Sequence, residues 1–188
     1  MRNSNMYLTV RQKKLSLSDT YTIELNGQVH FTAVSKLFSA LSEITLNPID
    51  TNRLTTNIER IWSLFKIKYR IQIGDFNSYI FESVSIFNIH FGCVVGSDIY
   101  SIYGHKKRSY SIFKNGIQVA SINQKLVTII EGDEYIIEAN DDCYIELILA
   151  ICLILDDYYS DQDTLIRFNF MQFAWGMRKK DENWKSNS

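Results

Sequence analysis

A chain of 188 residues fits one domain with enough length to bury a sizeable core. Its formal net charge of −1 at neutral pH excludes a bulk electrostatic attraction to nucleic acid. The 46% apolar and 22% charged residues are the balance of a soluble globular protein, and 11 Tyr, 11 Phe and a single Pro favour pleated sheet.

The N-terminal M-R-N-S-N-M-Y-L-T-V lacks the apolar run of a signal peptide, which predicts a cytoplasmic protein, free or peripheral to the membrane. Short strands follow at 6–11 and 20–26. Asn26-Gly27 is a hairpin signal, because Gly takes positive φ without steric cost. Strands at 28–36 and 41–47 come next; Pro48 ends a run, and Asp50-Thr51-Asn52 reads as a turn. The pattern continues at 53–59, 66–73, 79–85, 87–95, 98–103 and 109–114, then through the Asn115-Gly116 turn to 117–125 and 134–138. In 66–73, Ile67, Tyr69, Ile71 and Ile73 alternate with Lys66, Lys68, Arg70 and Gln72, the period of a half-buried antiparallel strand. About a dozen such strands predict a mainly β fold, and closure into an antiparallel barrel, since open sheets curl at about ten.

Residues 144–155, Y-I-E-L-I-L-A-I-C-L-I-L, are apolar on every helical face except at Glu146. Their roughly 18 Å falls short of the ~30 Å hydrocarbon core, so no span is predicted and the segment reads as a helix buried inside the barrel, over 143–157. Asp141-Asp142 open it at the positive end of its dipole. Asp156-Asp157 stand at the disfavoured end, and are expected in water at the barrel mouth. Residues 1–159 thus form the barrel with its central helix. Residues 160–188 form an extension packing on the barrel or on a partner: polar at 160–164, apolar and aromatic at 165–177, and a charged tail from 178.

The chain also resembles itself. Tyr21-x-Ile23-x-x-Asn26-Gly27 matches Tyr110-x-Ile112-x-x-Asn115-Gly116, and the same offset of 89 residues carries Lys36-Leu37 onto Lys125-Leu126, which predicts two related halves. A looser pattern of a basic residue, an apolar bend and a Tyr-x-Ile strand recurs at Lys13 to Ile23, Arg60 to Ile71 and Lys125 to Ile137.

Lys13 to Ile23 (K-K-L-S-L-S-D-T-Y-T-I), Ile112 to Lys125 (I-F-K-N-G-I-Q-V-A-S-I-N-Q-K) and the closing apolar helix after the x-G-D-x-Y-x-I strand at Gly132 to Ile136 resemble the LURP-one-related family over roughly 6–159. That family shares its fold with the tubby C-terminal domain and the phospholipid scramblases. The resemblance implies a closed barrel of twelve strands threaded by a hydrophobic helix, and names no settled activity. Tubby relatives bind phosphoinositides and scramblase relatives are tied to membranes; the lipid-contacting Lys and Arg of tubby have no matching positions here, so none is carried over. The turn at Asp50-Thr51-Asn52 departs from the family's Asp-x-x-Gly hairpin.

Motifs that carry chemistry are scarce. His30, His90 and His105 lack metal-ligand spacing, and no phosphate loop, nucleophile elbow or G-x-G-x-x-G occurs. No cofactor or metal is expected. Cys93, Cys143 and Cys152 read as buried, reduced hydrophobes; on an alternating strand Cys93 and His90 point to opposite faces. Asp156, Asp157, Asp161 and Asp163 could offer oxygens to Ca²⁺ but lack the Gly and Glu of an EF-hand loop, and read as a solvated acidic turn. His105-Lys106-Lys107-Arg108 is the densest basic run, a candidate site for phosphate or anionic phospholipid headgroups through Lys106, Lys107 and Arg108. Segment 165–177 is a candidate surface for self-association or a partner through Phe168, Phe170, Phe173 and Trp175. Two readings stay open. One is a non-enzymatic barrel module that binds or scaffolds a partner, with anionic phospholipid membranes as one candidate setting. The other is a hydrolase-type or metal-dependent enzyme with a site at the barrel end, using Asp156, Asp157 and Tyr158 or Tyr159.

Overall fold

Alternating apolar and polar residues build twelve strands in the computed structural model, which describes residues 6–14, 18–36, 42–84, 90–125, 132–165, 178 and 180–186, with the backbone alone over 161–165. They are β1 (Met6–Lys14), β2 (Ser18–Leu25), β3 (Gln28–Lys36), β4 (Glu43–Pro48), β5 (Thr56–Ile61) and β6 (Lys68–Ile73). Then come β7 (Asn77–Ser83), β8 (His90–Val95), β9 (Asp98–His105), β10 (Ser109–Lys114), β11 (Ile117–Lys125) and β12 (Glu134–Ala139). Each pairs antiparallel with the next, and β12 closes on β1 in a register running from Met6 opposite Ala139 to Arg11 opposite Glu134. Closure gives each of these twelve strands a paired neighbour on both sides. The expected barrel is therefore present, with strand ends shifted by a few residues; Pro48, expected to end a run, sits in the last position of β4.

The helix α1 (Ile145–Leu165) fills the lumen. Every residue from Leu147 to Leu155 is 1% exposed or less, because inward residues such as Ile23, Phe31, Leu46, Ile71, Phe81 and Ile137 meet it from all sides. Two helix expectations are corrected. Asp141 and Asp142 lie in a turn ahead of the helix; the first turn closes on the Tyr144 carbonyl, which accepts from the amides of Leu147 and Ile148, and Glu146 is the acid beside the dipole. At the other end the helix continues eight residues past 157, with Asp156 and Asp157 bonded to donors inside the barrel rather than ending it in water. Among the described residues no helix is long and apolar enough to cross a membrane.

Strand direction alternates, so the turns sort to two ends. The helix N-terminal end carries Asn26-Gly27, residues 49–55, 74–76 and Asn115-Gly116. The helix C-terminal end carries residues 62–67 and 106–108. Asn26 and Asn115 share φ 51°, and Gly27 and Gly116 share φ 83°, the left-handed pair that a tight hairpin turn demands. Both hairpins shift register at matching places, Ile23/Glu24 and Ile112/Phe113. The offset of 89 thus carries the β2–β3 hairpin onto β10–β11, eight strands on in a ring of twelve, where halves would be six apart. Near the start of β12, Gly132 (φ 80°) lies so close to β1 that a Cβ would stand 2.1 Å from the Gln12 carbonyl oxygen. That contact lets the Gln12 amide donate to the Asp133 carbonyl at 2.9 Å.

β10 is buried on both faces, against the half-buried expectation for a strand. The C-terminal residues cover its outside. The Arg178 guanidinium lies 3.8 Å over the Phe113 ring, Lys180 donates to Ser109 Oγ at 3.0 Å, and Trp184 Nε1 donates to the Gln118 carbonyl at 3.2 Å. Residues 178 and 180–186 of the charged tail are held here by these bonds.

Candidate functional site

The polar features of the fold gather where the helix leaves the barrel. Tyr21, Tyr69 and Tyr135 are inward residues near that end of β2, β6 and β12, and Gln12 is inward on β1. All four aim donors at the helix. Asp156 Oδ2 accepts from Tyr21 OH at 2.7 Å and from Gln12 Nε2 at 3.0 Å, and its Oδ1 accepts from Tyr135 OH. Asp157 Oδ2 accepts from Tyr69 OH and from Ser42 Oγ, both at 2.7 Å. Gln12 Nε2 also donates to buried Asp19 at 2.9 Å.

This overturns the expectation of Asp156 and Asp157 in water: they are 2% and 7% exposed. A buried carboxylate is tolerated when donors surround it, and five side chains from around the ring supply them. Burial raises the Asp156 carboxyl to about 6, the Tyr135 and Tyr21 hydrogen bonds partly offsetting it. Burial and the adjacent carboxylates push the Tyr21, Tyr69 and Tyr135 phenols up, keeping them neutral donors. The arrangement ties the helix end to four strands. Tyr158 and Tyr159 continue the brace through rings: Phe91 meets Tyr158, and Tyr110 meets Tyr159 at 6.2 Å.

The basic turn stands on the same rim. Lys106 and Lys107 are exposed, while Arg108 is half-buried, its guanidinium 5.0 Å over the Tyr159 ring and bonded to Gln124 Oε1 at 3.3 Å. The predicted trio is thus divided, with two exposed and one holding the turn to the helix. Phe168, Phe170, Phe173 and Trp175 lie outside the described residues. Cys93 and Cys152 are buried as expected and Cys143 is half-buried; burial pushes the Cys93 thiol up to about 12, far from a reactive thiolate. His90 faces outward and stacks on Tyr103 at 4.4 Å, away from inward Cys93. Among the described residues no group of three or more His, Cys, Asp or Glu is placed to hold a metal ion. At the opposite end an open cleft of about 420 Å³ is lined by Met6, Leu25, Tyr144 and the Arg53–Glu146 ion pair (3.1 Å).

Sequence reasoning missed the tyrosine brace, although the signal was present. The recurring Tyr-x-Ile pattern marks Tyr21, Tyr69 and Tyr135, the three phenols that meet the aspartates, each with its Ile two positions on against the helix. It also missed the β5–β6 loop, where Trp62, Leu64 and Phe65 are 70%, 71% and 81% exposed. A family model described as LURP-one-related matches residues 6–156, which is the barrel and its helix as far as the first braced aspartate. The chain belongs to the LURP-one-related family. Comparison with curated proteins gave no match, and neither did comparison with solved structures. The match ends at Asp156, so in this LURP-one-related barrel the tail over β10 and β11 lies beyond the family region.

Proposed function

We propose that the protein is a non-enzymatic barrel module that binds its partner on its outer surface, and that this partner is an anionic phospholipid membrane met at the helix C-terminal rim. What carries the reading is the filled lumen: a helix with no exposed residue between Leu147 and Leu155 occupies the space in which a barrel would hold a ligand. Recognition is left to the outside. On that rim Lys106 and Lys107 are exposed, and each such charge near an anionic surface contributes about 1 kcal/mol. Asp156 and Asp157 are the centre of the enzymatic alternative; both oxygens of Asp156 and Oδ2 of Asp157 already accept from Tyr, Ser and Gln donors. Flotation with phosphatidylcholine vesicles, with and without phosphatidylserine, tests the membrane reading. Binding should require the anionic lipid and weaken with salt. Failure to float at low salt refutes it.

A further inference from the structure

We infer that the β5–β6 loop is the anchor, with Trp62, Leu64 and Phe65 entering the interfacial layer of an anionic bilayer while the barrel stands on its helix C-terminal end. This rests on the membrane reading above and adds the surface and the orientation. Three large apolar side chains within four residues, all more than two-thirds exposed, form a tip that water disfavours. Trp is the side chain most at home at the headgroup boundary, and Leu and Phe supply apolar area beneath it.

Charge selects the membrane and the end. The tip is flanked by Arg60, Lys66 and Lys68; the two lysines share the single carboxylate of Glu82 at 2.7 and 3.1 Å, which leaves that trio with a net positive charge. Lys106 and Lys107 stand on the same rim. The opposite end also exposes apolar residues, Phe76 at 96% above all, yet there they sit among Asp50, Asp75, Asp141 and Asp142. An anionic surface repels that end and attracts the other, so of two apolar tips one is selected.

The test uses the full chain, with flotation on phosphatidylcholine–phosphatidylserine vesicles and quenching of Trp emission by bromine-labelled lipid. Replacing Trp62, Leu64 and Phe65 together by Ser should weaken vesicle binding by about tenfold or more without lowering the melting temperature, since all three side chains are exposed. Phe76→Ser should leave binding unchanged. Bromolipid should quench wild-type emission, and Trp62→Phe, which leaves Trp175 and Trp184, should reduce that quenching. If the wild type floats and the triple variant floats equally well, the anchor is refuted while the membrane reading stands on the basic residues. Quenching undiminished in Trp62→Phe likewise refutes it. If the wild type does not float at all, both fall, and the tip belongs to a protein partner.

Discussion

Asp156 shows how one side chain can make the fold sensitive to a rise in pH. Its folded carboxyl ionises at about 6, above the ordinary carboxylate value it recovers on unfolding. Between those values the folded state keeps a proton that the unfolded state has released. Stability from this group is therefore full at the acid side of the window, falls as pH rises through it, and is lost above pH 6, an effect of about 3 kcal/mol. Asp156→Asn removes the ionisation. In urea unfolding at about pH 4 and about pH 8, the variant should lack roughly that much of the wild type's pH dependence. Parallel curves for the two proteins would show that Asp156 does not titrate in the window. The residue types were legible in the sequence, and their environment was not: an aspartate pair after an apolar run reads as a solvated helix end unless the donors are known. Here one donor, Gln12, is 144 residues away in the chain.

Among the elements, the hairpins were the easiest to read. Asn-Gly between alternating runs is a local signal, and both turns form with the same dihedrals. A Cβ at Gly27 or Gly116 would meet nothing within 4 Å, so an Ala there costs what the left-handed conformation costs, about 1 kcal/mol. Gly27→Ala and Gly116→Ala should destabilise the protein equally in thermal unfolding; a gap of more than about 1 kcal/mol would mean the two hairpins are held differently. The helix was legible as buried because an apolar rod of about 18 Å fits neither water nor a bilayer. Its end was not, because the donors that meet Asp157, Tyr69 and Ser42, are brought in from positions remote in sequence.

For the molecule as a whole, the polar tail decides which part of the wall meets solvent. Residues 178 and 180–186 close the outside of β10 and β11 through Phe113, Ser109 and Gln118. Deleting residues 178–188 should expose that face and cost about 1–3 kcal/mol in unfolding, with vesicle binding unchanged because the rim charges and the β5–β6 tip remain. Unchanged stability would show the tail to be a passive covering. The amino-acid sequence by itself determined a closed antiparallel barrel around a greasy helix, because alternation, Asn-Gly turns and an all-round apolar segment are properties of near neighbours. Tertiary structure alone decided that the aspartate pair is buried, that Arg108 turns inward over Tyr159 while Lys106 and Lys107 face out, and that Trp62 and the basic turn share a rim. Each of those depends on which distant strands closure brings side by side, and a side chain's solvent and charge partners are set by that neighbourhood.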